Sequence, residues 1–267
     1  MIGMIYLNIK DYVKQEKEKL KEEIKNLYEK NIITREPVLN IVQVGNLEAS
    51  NRYVRNKVKD AEELGIDARV YRLVDTITSD QLRNFVRELQ GPTIVQLPLP
   101  SGVEAPRIVR TWDVDGFGVE SPHTPCTPGG IIDYLDACGF EYEGKFAVVI
   151  GRSEIVGKPM AKLLMDKNCT TAIVHSKTRE DIKKLLLLEA DLVVCAVGKV
   201  GFLDPQDCPR AFVIDVGINF DENGKLVGDV LPTALERTTP VPGGVGLLTR
   251  LKLMKNVIDY YKGDYYG

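Results

Sequence analysis

The sequence predicts an α/β protein of two domains, each containing a parallel sheet. The chain has 267 residues, enough for two domains of ordinary size. Short apolar segments alternate with longer amphipathic ones in both halves, as in βαβ units. A proline- and glycine-rich stretch, ESPHTPCTPGG, separates the halves. We expect residues 1–119 with 249–267 to form the first domain and 120–248 the second, with a cleft between them.

The first half alternates between helix and strand patterns. A charged segment at about 10–31 predicts a helix. Strands are predicted at 38–44, 69–73 and 93–97, with helices between them at 50–64 and 79–89. This order is typical of parallel βαβ units.

The alternation restarts after Gly144. Strands are predicted at 146–150, 171–175, 192–197 and 212–216, with helices beginning near Lys158 and covering 179–188. These segments predict a separate doubly wound sheet of the Rossmann type. A helix at 131–137 follows the joint, and we expect the last helix, at about 248–261, to cross back to the first domain.

Composition and charge exclude several classes of partner. Charged residues make up 27% of the chain and hydrophobic residues 44%, with a net charge of -3, so there is no basic surplus for binding nucleic acid. No run of eighteen apolar residues occurs, and the first residues lack the pattern of a signal peptide. We therefore expect a cytoplasmic protein that binds neither nucleic acid nor membrane.

The cysteine pattern predicts neither disulfides nor a metal site. Five cysteines, an odd number, lie far apart without a C-x-x-C pair, and only two histidines are available as further ligands. Cys195 lies in an apolar run and is predicted to be a core residue. Cys126 has no base beside it, which favours a structural role over that of a nucleophile.

A glycine-containing loop follows the first strand of the second half. The loop GRSEIVGKP, residues 151–159, opens a helix whose N-terminus could hold a dinucleotide pyrophosphate. The spacing differs from G-x-G-x-x-G, because Ser153 replaces the second glycine and Gly157 comes one position late. The motif alone leaves dinucleotide binding and an ordinary βα turn open.

The end of the next strand favours NADP over NAD. An acidic residue normally binds the ribose 2′-hydroxyl of NAD at this place, and here the sequence is VHSKT. Arg152, Ser176 and Lys177 match the chemistry of a 2′-phosphate instead. His175 is predicted to end the strand without a catalytic role.

Tyr53 and Lys57 lie four residues apart on the helix predicted at 50–64. Its apolar positions, Val54, Val58, Ala61 and Gly65, predict the buried stripe, with Ser50 and Lys57 on its flank. Lys57 is then the lysine at the edge of the core, suited to chemistry or to snorkelling. The Tyr-x-x-x-Lys spacing also occurs in short-chain dehydrogenases, a weaker alternative because there the nucleotide loop comes first.

Further stretches complete a resemblance. The chain resembles the bifunctional methylenetetrahydrofolate dehydrogenase/cyclohydrolase family. The matching residues follow the family order: Ser50 with Tyr53 and Lys57, QLPLP (96–100), DVDGF (113–117), PCTPGG (125–130), GRSEIVGKP (151–159), HSKT (175–178), DVGIN (215–219), GDV (228–230) and PVPGGVG (240–246).

The resemblance implies NADP-dependent oxidation of methylenetetrahydrofolate in one-carbon metabolism and purine biosynthesis, hydrolysis of the methenyl product to formyltetrahydrofolate, and a homodimer. It implies a folate-binding first domain and an NADP-binding second one. The implied catalytic residues are Lys57, Gln96, Tyr53 and Asp115. The implied substrate-binding residues are Ser50, Tyr53, Gln96, Leu97, Pro98, Asp115, Pro242 and Gly243. The implied cofactor-binding residues are Gly151, Arg152, Ser153, Ile155, Val156, Gly157, Ser176, Lys177, Thr178 and Ile218.

The chain departs from the family pattern in two places. The segment between DVDGF and PCTP is shortened to residues 118–124, and Leu247-Leu248 replaces Pro-Met. Because this segment borders the folate site in the family, we expect a more open site here. The alternatives are a monofunctional dehydrogenase and a regulatory homologue that binds the ligands without turnover.

Overall fold

A computed structural model describes residues 6–118 and 120–263 and contains two compact units. We call Gln15–Cys126 with Arg250–Gly267 the three-stranded unit, and Met1–Lys14 with Thr127–Thr249 the four-stranded unit. The helices are α1 (Ile9–Glu29), α2 (Glu48–Glu63), α3 (Ser79–Glu88), α4 (Cys126–Ala137), α5 (Gly157–Asp166), α6 (Glu180–Glu189) and α7 (Val245–Lys262). The strands are β1 (Val38–Val44), β2 (Asp67–Leu73), β3 (Thr93–Gln96), β4 (Phe146–Ile150), β5 (Thr170–Val174), β6 (Leu192–Cys195), β7 (Phe212–Asp215), β8 (Asn219–Phe220) and β9 (Leu226–Val227).

The three-stranded unit has a parallel sheet with the order β2-β1-β3. β1 is the central strand and is buried over nearly its whole length, so its apolar residues do not alternate with exposed ones, and its two polar residues, Asn40 and Gln43, are buried as well. Near its carboxyl end, Gln43 is in register with Arg72 of β2 and Gln96 of β3.

Buried charges orient α2 within this unit. Asp60 of α2 lies 2.6 Å from the Lys17 ammonium of α1 and 2.8 Å from the Arg250 guanidinium of α7. Glu63 gives Lys17 a second carboxylate, also at 2.6 Å. These pairs fix the rotation of α2 about its axis. A rotation would separate the charges, and a buried charge without its partner costs several kcal/mol.

The four-stranded unit has the order β5-β4-β6-β7, with all neighbours parallel. β4 and β6 are central; β6 is buried throughout, and β4 is buried except at its first residue, Phe146, which is half-buried. Residues 6–14 also belong here, although the sequence prediction assigned the whole N-terminal segment to the first domain. The Tyr6 ring packs 4.6 Å from that of Phe212, and the Tyr134 hydroxyl donates to the Leu7 carbonyl at 2.8 Å.

The predicted two-domain α/β class is confirmed, and every predicted helix and strand is present. α4 differs most, because it begins at Cys126 instead of residue 131. Pro128 is tolerated in a first helical turn, so the composition that predicted a loop is compatible with a helix. Gly130 is needed there because a Cβ would lie 2.5 Å from the Leu248 carbonyl of α7. The two-residue ribbon β8-β9 was not predicted.

Candidate functional site

The buried face of α2 passes through its polar residues. Ser50, Val54, Lys57, Ala61 and Leu64 are all buried, at alternating intervals of four and three residues. The predicted stripe was therefore wrong at two positions, because Val58 is only half-buried and Gly65 is exposed beyond the end of the helix. The prediction counted apolar residues alone, so it placed Ser50 and Lys57 on the flank and centred the buried face on the wrong side of the helix. Lys57 thus lies within the buried face instead of at its edge.

The Lys57 side chain meets the carboxyl end of β3. Lys57 is only 8% exposed, and its ammonium donates to the Gln96 Oε1 atom at 3.0 Å. The Gln96 amide in turn donates to the Leu97 carbonyl at 2.7 Å, which fixes which end of the amide faces the lysine. Pro98 follows on the exposed side of this turn. The structure therefore gives Lys57 one defined position at the carboxyl edge of the sheet.

Asp115 is a buried carboxylate in the same unit. Burial raises its pKa, and the nearby Lys57 charge acts in the opposite direction. The Asp115 backbone is fixed because its carbonyl accepts the Cys126 N–H at 3.2 Å. Burial and the Asp115 charge raise the pKa of the Cys126 thiol well above its ordinary value, so Cys126 is a neutral, packed thiol.

Tyr53 lies one turn before Lys57 on α2 and is half-buried. Burial raises the pKa of its phenol, while the positive charges of Arg52 and Arg250 oppose the shift. The phenol is therefore protonated at neutral pH and can donate a hydrogen bond or pack its ring against a ligand.

The short segment 118–124 is held firmly in its described part. Asp113 accepts the Gly118 N–H at 2.6 Å, and the Ser121 hydroxyl donates to the Asp113 carbonyl at 2.8 Å. Gly116 lets the chain fold back, since a Cβ there would lie 2.6 Å from the His123 carbonyl. The His123 ring lies 3.2 Å from the Thr111 carbonyl, and burial lowers its pKa. The segment is therefore short and well anchored.

Asn256 of α7 is a residue that the sequence analysis missed. Its buried amide donates to the Val114 and Thr124 carbonyls, both at 2.9 Å, and so joins the two ends of the loop that carries Asp115. The asparagine inside an amphipathic helix was the available signal, because a buried amide needs partners.

The four-stranded unit places the glycine loop beside the end of β5. β4 and β5 are paired through Ile150 and Val174, so Arg152 and Ser176 follow neighbouring strand ends. Gly151 approaches the next loop closely, since a Cβ there would lie 2.3 Å from the Ala196 carbonyl. Arg152, Ser176 and Lys177 are exposed, and no acidic residue occurs between Val174 and Arg179.

Ser153 closes the first turn of α5. Its hydroxyl accepts the N–H groups of Val156 and Gly157, both at 3.2 Å, and its carbonyl accepts the Lys158 N–H at 3.1 Å. The N–H groups of these three residues are therefore already hydrogen-bonded at the helix N-terminus where the sequence analysis considered a pyrophosphate. The late glycine also has a cause, because a Cβ on Gly157 would lie 2.4 Å from the Gly151 carbonyl. Ile155 is exposed beside this turn.

Thr178 closes the turn after β5. Its hydroxyl accepts the His175 N–H at 3.0 Å, while the His175 ring accepts the Lys177 N–H at 3.1 Å. His175 therefore shapes the turn that presents Ser176, and its lack of a catalytic role stays a prediction.

Two buried carboxylates that the sequence analysis did not single out hold the loops after β6 and β7. Asp229 is fully buried and accepts three consecutive N–H groups, from Val197, Gly198 and Lys199, at 2.7, 2.9 and 2.8 Å. It also accepts the side-chain amide of Asn219 at 2.8 Å. Ile218, a predicted cofactor residue, precedes Asn219 and is exposed.

Asp215 holds Asp229 in turn. Its carboxylate accepts the N–H groups of Gly217 and Asp229, both at 2.9 Å, and of Val230 at 3.1 Å. Burial raises the pKa of Asp215 despite these donors. Gly228 has no room for a side chain, because a Cβ would lie 1.8 Å from the Asp215 carboxylate. The stretches DVGIN and GDV therefore form one scaffold at the carboxyl edge of this sheet.

We expect Asp229→Asn to destabilise the four-stranded unit by about 3 kcal/mol, because an amide offers one acceptor where the carboxylate serves four donors. Urea unfolding measures this loss. Asp204→Asn is the matched control, since Asp204 is a half-buried cap of a short helix in the same unit. Equal stability of the two variants would contradict the scaffold.

Pro242 and Gly243 belong to the four-stranded unit, whereas Lys57, Gln96 and Asp115 belong to the other. Gly243 has φ +98°, a conformation that favours glycine, and the Lys10 side chain packs beside it. Their predicted contact with the substrate stays a prediction.

The five cysteines are buried free thiols, and Cys195 lies in the core as predicted. Among residues 6–118 and 120–263, no three His, Cys, Asp or Glu side chains are grouped as a metal ion would require. Within the same described ranges, the helices are too short or too polar to cross a lipid bilayer.

Two family profiles match the chain. The catalytic domain of tetrahydrofolate dehydrogenase/cyclohydrolase matches residues 7–115, and the NAD(P)-binding domain of the same family matches residues 125–265. The bifunctional protein FolD of Caldicellulosiruptor saccharolyticus is 45% identical over 269 aligned positions, covering 91% of this chain and 95% of that protein. The FolD of Listeria innocua is 40% identical, covering 95% of each chain.

Solved structures agree with these matches. A bifunctional FolD dehydrogenase/cyclohydrolase from Campylobacter jejuni superposes with a TM-score of 0.89 at 36% identity, covering 98% of this chain and 100% of the other. The Trypanosoma brucei enzyme, complexed with NADP cofactor and an inhibitor, gives a TM-score of 0.88 at 30% identity, covering 100% of both chains.

Proposed function

The chain belongs to the tetrahydrofolate dehydrogenase/cyclohydrolase family, and we propose from this that it oxidises methylenetetrahydrofolate with NADP and hydrolyses the methenyl product to formyltetrahydrofolate. The observation that carries the proposal is the Lys57–Gln96 hydrogen bond of 3.0 Å beside buried Asp115. One amine with a fixed position, one amide and one carboxylate are thus available at the carboxyl edge of the sheet, where parallel α/β proteins bind ligands.

The residues of the four-stranded unit fit NADP. Gly151 lets the loop after β4 pack against the Ala196 carbonyl, which holds this loop at the carboxyl end of β4, where Rossmann folds bind a pyrophosphate. Arg152, Ser176 and Lys177 present donors without an acidic neighbour, which suits a 2′-phosphate. Ile218 offers an apolar surface on a loop that Asp229 holds in place. The chemistry that NADP supplies when bound is acceptance of a hydride from the methylene carbon.

The side chains of the three-stranded unit have separate tasks in this proposal. Asp115 accepts the amino group and ring N–H of the pterin as a pair. Tyr53 packs on the folate, and Ser50, Leu97 and Pro98 line its position. Hydride transfer needs no acid or base, so these residues serve it by positioning alone.

Hydrolysis depends on Lys57 more directly than hydride transfer does. Water adds to the cationic methenyl carbon and a C–N bond of the bridge breaks. Of the two protons that the water brings, one passes to the freed nitrogen and the other is released to solvent. Lys57 aims and activates the water, and the hydrogen bond to Gln96 keeps its amine in reach. This division makes hydrolysis the step that depends on the Lys57 head group.

The test is a pair of spectrophotometric assays on purified protein. NADPH formation from methylenetetrahydrofolate and NADP reports oxidation, and decay of added methenyltetrahydrofolate reports hydrolysis. Both signals are expected. Oxidation alone would identify a monofunctional dehydrogenase, and ligand binding without either signal would identify a regulatory homologue.

The shortened segment leads to an expectation about affinity. The long family segment borders the folate site, and residues 118–124 supply fewer contacts there. We expect folate to bind more weakly here than to a relative with the longer segment, when calorimetry is done on both proteins under one condition. Equal or tighter folate binding would contradict this expectation and would show that the short segment does not weaken the site.

Assembly and location complete the proposal. We propose a cytoplasmic homodimer whose formyl product supplies purine biosynthesis, with no nucleic acid or membrane as partner. Edge strand β5 exposes Ile173, and α6 exposes Leu185 and Leu188, as expected of a surface that a second copy covers. The net charge of -3 gives no support for binding a polyanion.

A further inference from the structure

Gln43 ends in a buried acceptor without a hydrogen-bond donor. The residue is 1% exposed and lies near the carboxyl end of β1. Its Oε1 atom accepts no hydrogen bond from the part of the chain that the structure describes. Buried polar atoms are nearly always satisfied, so an exception points to a water molecule or a ligand.

A chain of hydrogen bonds determines which end of the Gln43 amide is unsatisfied. The Gln43 Nε2 atom donates to the Asn51 Oδ1 atom at 2.7 Å. The Asn51 amide donates to the Glu48 carboxylate at 3.4 Å and to the Asn46 side-chain oxygen at 2.9 Å. Because a carboxylate only accepts, Asn51 must direct its oxygen toward Gln43. The unsatisfied atom is therefore the Gln43 oxygen.

Gln43 lies in the same row as the residue that binds Lys57. Gln43 and Gln96 are in register on neighbouring parallel strands, so their side chains leave the same face of the sheet. α2 covers that face, since it contributes both Asn51 to Gln43 and Lys57 to Gln96. Ser50, next to Asn51, has a second buried oxygen without a partner in the described structure.

We propose that the Gln43 carbonyl oxygen is a further ligand contact of the folate site, and that it accepts a hydrogen bond from the substrate or from the water that hydrolysis consumes. The inference rests on the proposed function. Both sources have the same chemistry, an N–H or O–H donor brought to the carboxyl edge of the sheet. The acceptor is prepared in the protein and becomes satisfied when the site is filled.

Gln43→Met tests this, because methionine keeps the length of the side chain and removes both polar atoms. We expect kcat/KM for at least one reaction to fall about tenfold. The Tm should stay at or above the wild-type value, because the unsatisfied acceptor is removed as well. Asn51→Ala is the matched control, since it breaks the hydrogen bond to Gln43 and keeps the acceptor.

The two reactions separate the two sources. If a substrate N–H is the donor, the KM for folate rises in both reactions and tetrahydrofolate binds more weakly by anaerobic calorimetry. If water is the donor, kcat of hydrolysis falls while oxidation is unchanged. The proposal is overturned if the variant keeps both activities and tetrahydrofolate affinity, or if Tm and both activities fall together. A wild-type protein without turnover would refute the proposed function. Calorimetry with tetrahydrofolate on the wild-type protein and the Gln43→Met variant would still test the contact of Gln43 with the ligand.

Discussion

Replacing Lys57 by methionine is expected to lower cyclohydrolase activity at least about a hundredfold, the usual effect of one acid-base group. Methionine keeps the apolar stem within the buried face of α2 and deletes only the ammonium. Gln96 then loses its donor, which costs about 1–3 kcal/mol if no water replaces it. Dehydrogenase activity should fall less, since hydride transfer depends on position.

The two activities are measured separately on the folded variant, by methenyltetrahydrofolate decay and by NADPH formation. Lys59→Met is the matched control, because Lys59 is an exposed lysine two residues further along the same helix. Hydrolysis near the wild-type rate in the Lys57 variant would make Lys57 a packing residue. An equal loss of both activities would point to substrate positioning in place of water activation.

The buried face of α2 shows where sequence patterns were sufficient and where they failed. The period of the helix was visible, but the apolar residues alone predicted Val58 and Gly65 as buried. The structure buries Ser50 and Lys57 instead, at the same four-three spacing as Val54 and Ala61. A polar residue on a buried face breaks the local rule, and such breaks are expected at functional sites. The error therefore fell on the residues to which the resemblance assigns chemistry.

The strands were predicted to within about two residues because central parallel strands form continuous apolar runs. The scaffold of Asp215 and Asp229 could not be predicted from the sequence, since it joins loops that lie far apart in the chain. No periodicity reports a carboxylate that accepts backbone N–H groups from another loop. The same holds for Asn256 and for Gln43, whose roles depend on which carbonyl or amide lies beside them.

Ser153 illustrates a partial success. Its position in the loop suggested a departure from the usual dinucleotide motif, and the structure gives the departure a purpose, because the hydroxyl caps α5. NADP and NAD share the pyrophosphate and differ at the ribose 2′ position, so in the proposed site discrimination between them falls to the side chains at the ends of β4 and β5. Arg152 and Ser176 follow those neighbouring strand ends and are exposed.

Replacing Ser176 by aspartate is expected to shrink or reverse the preference for NADP over NAD. In the wild-type protein we expect NADP to bind more tightly than NAD, because a guanidinium and a hydroxyl match phosphate oxygens. The aspartate places a negative charge beside the 2′-phosphate and offers an acceptor to the 2′-hydroxyl of NAD. Each change should contribute about tenfold, so the ratio of the two affinities shifts by roughly a hundredfold.

Calorimetry with NADP and NAD on both proteins measures this ratio. Asn223→Asp is the charge-matched control. Asn223 lies in the exposed turn of the β8-β9 ribbon, and its replacement by aspartate adds the same net charge to the same unit. Raising the ionic strength should bring the NADP affinity of the Ser176→Asp variant closer to that of the wild-type protein, since screening weakens repulsion between exposed charges. A wild-type protein that binds NAD as tightly as NADP would contradict the assignment of Arg152 and Ser176 to the 2′-phosphate, and a Ser176→Asp variant with an unchanged ratio would move that phosphate away from the end of β5.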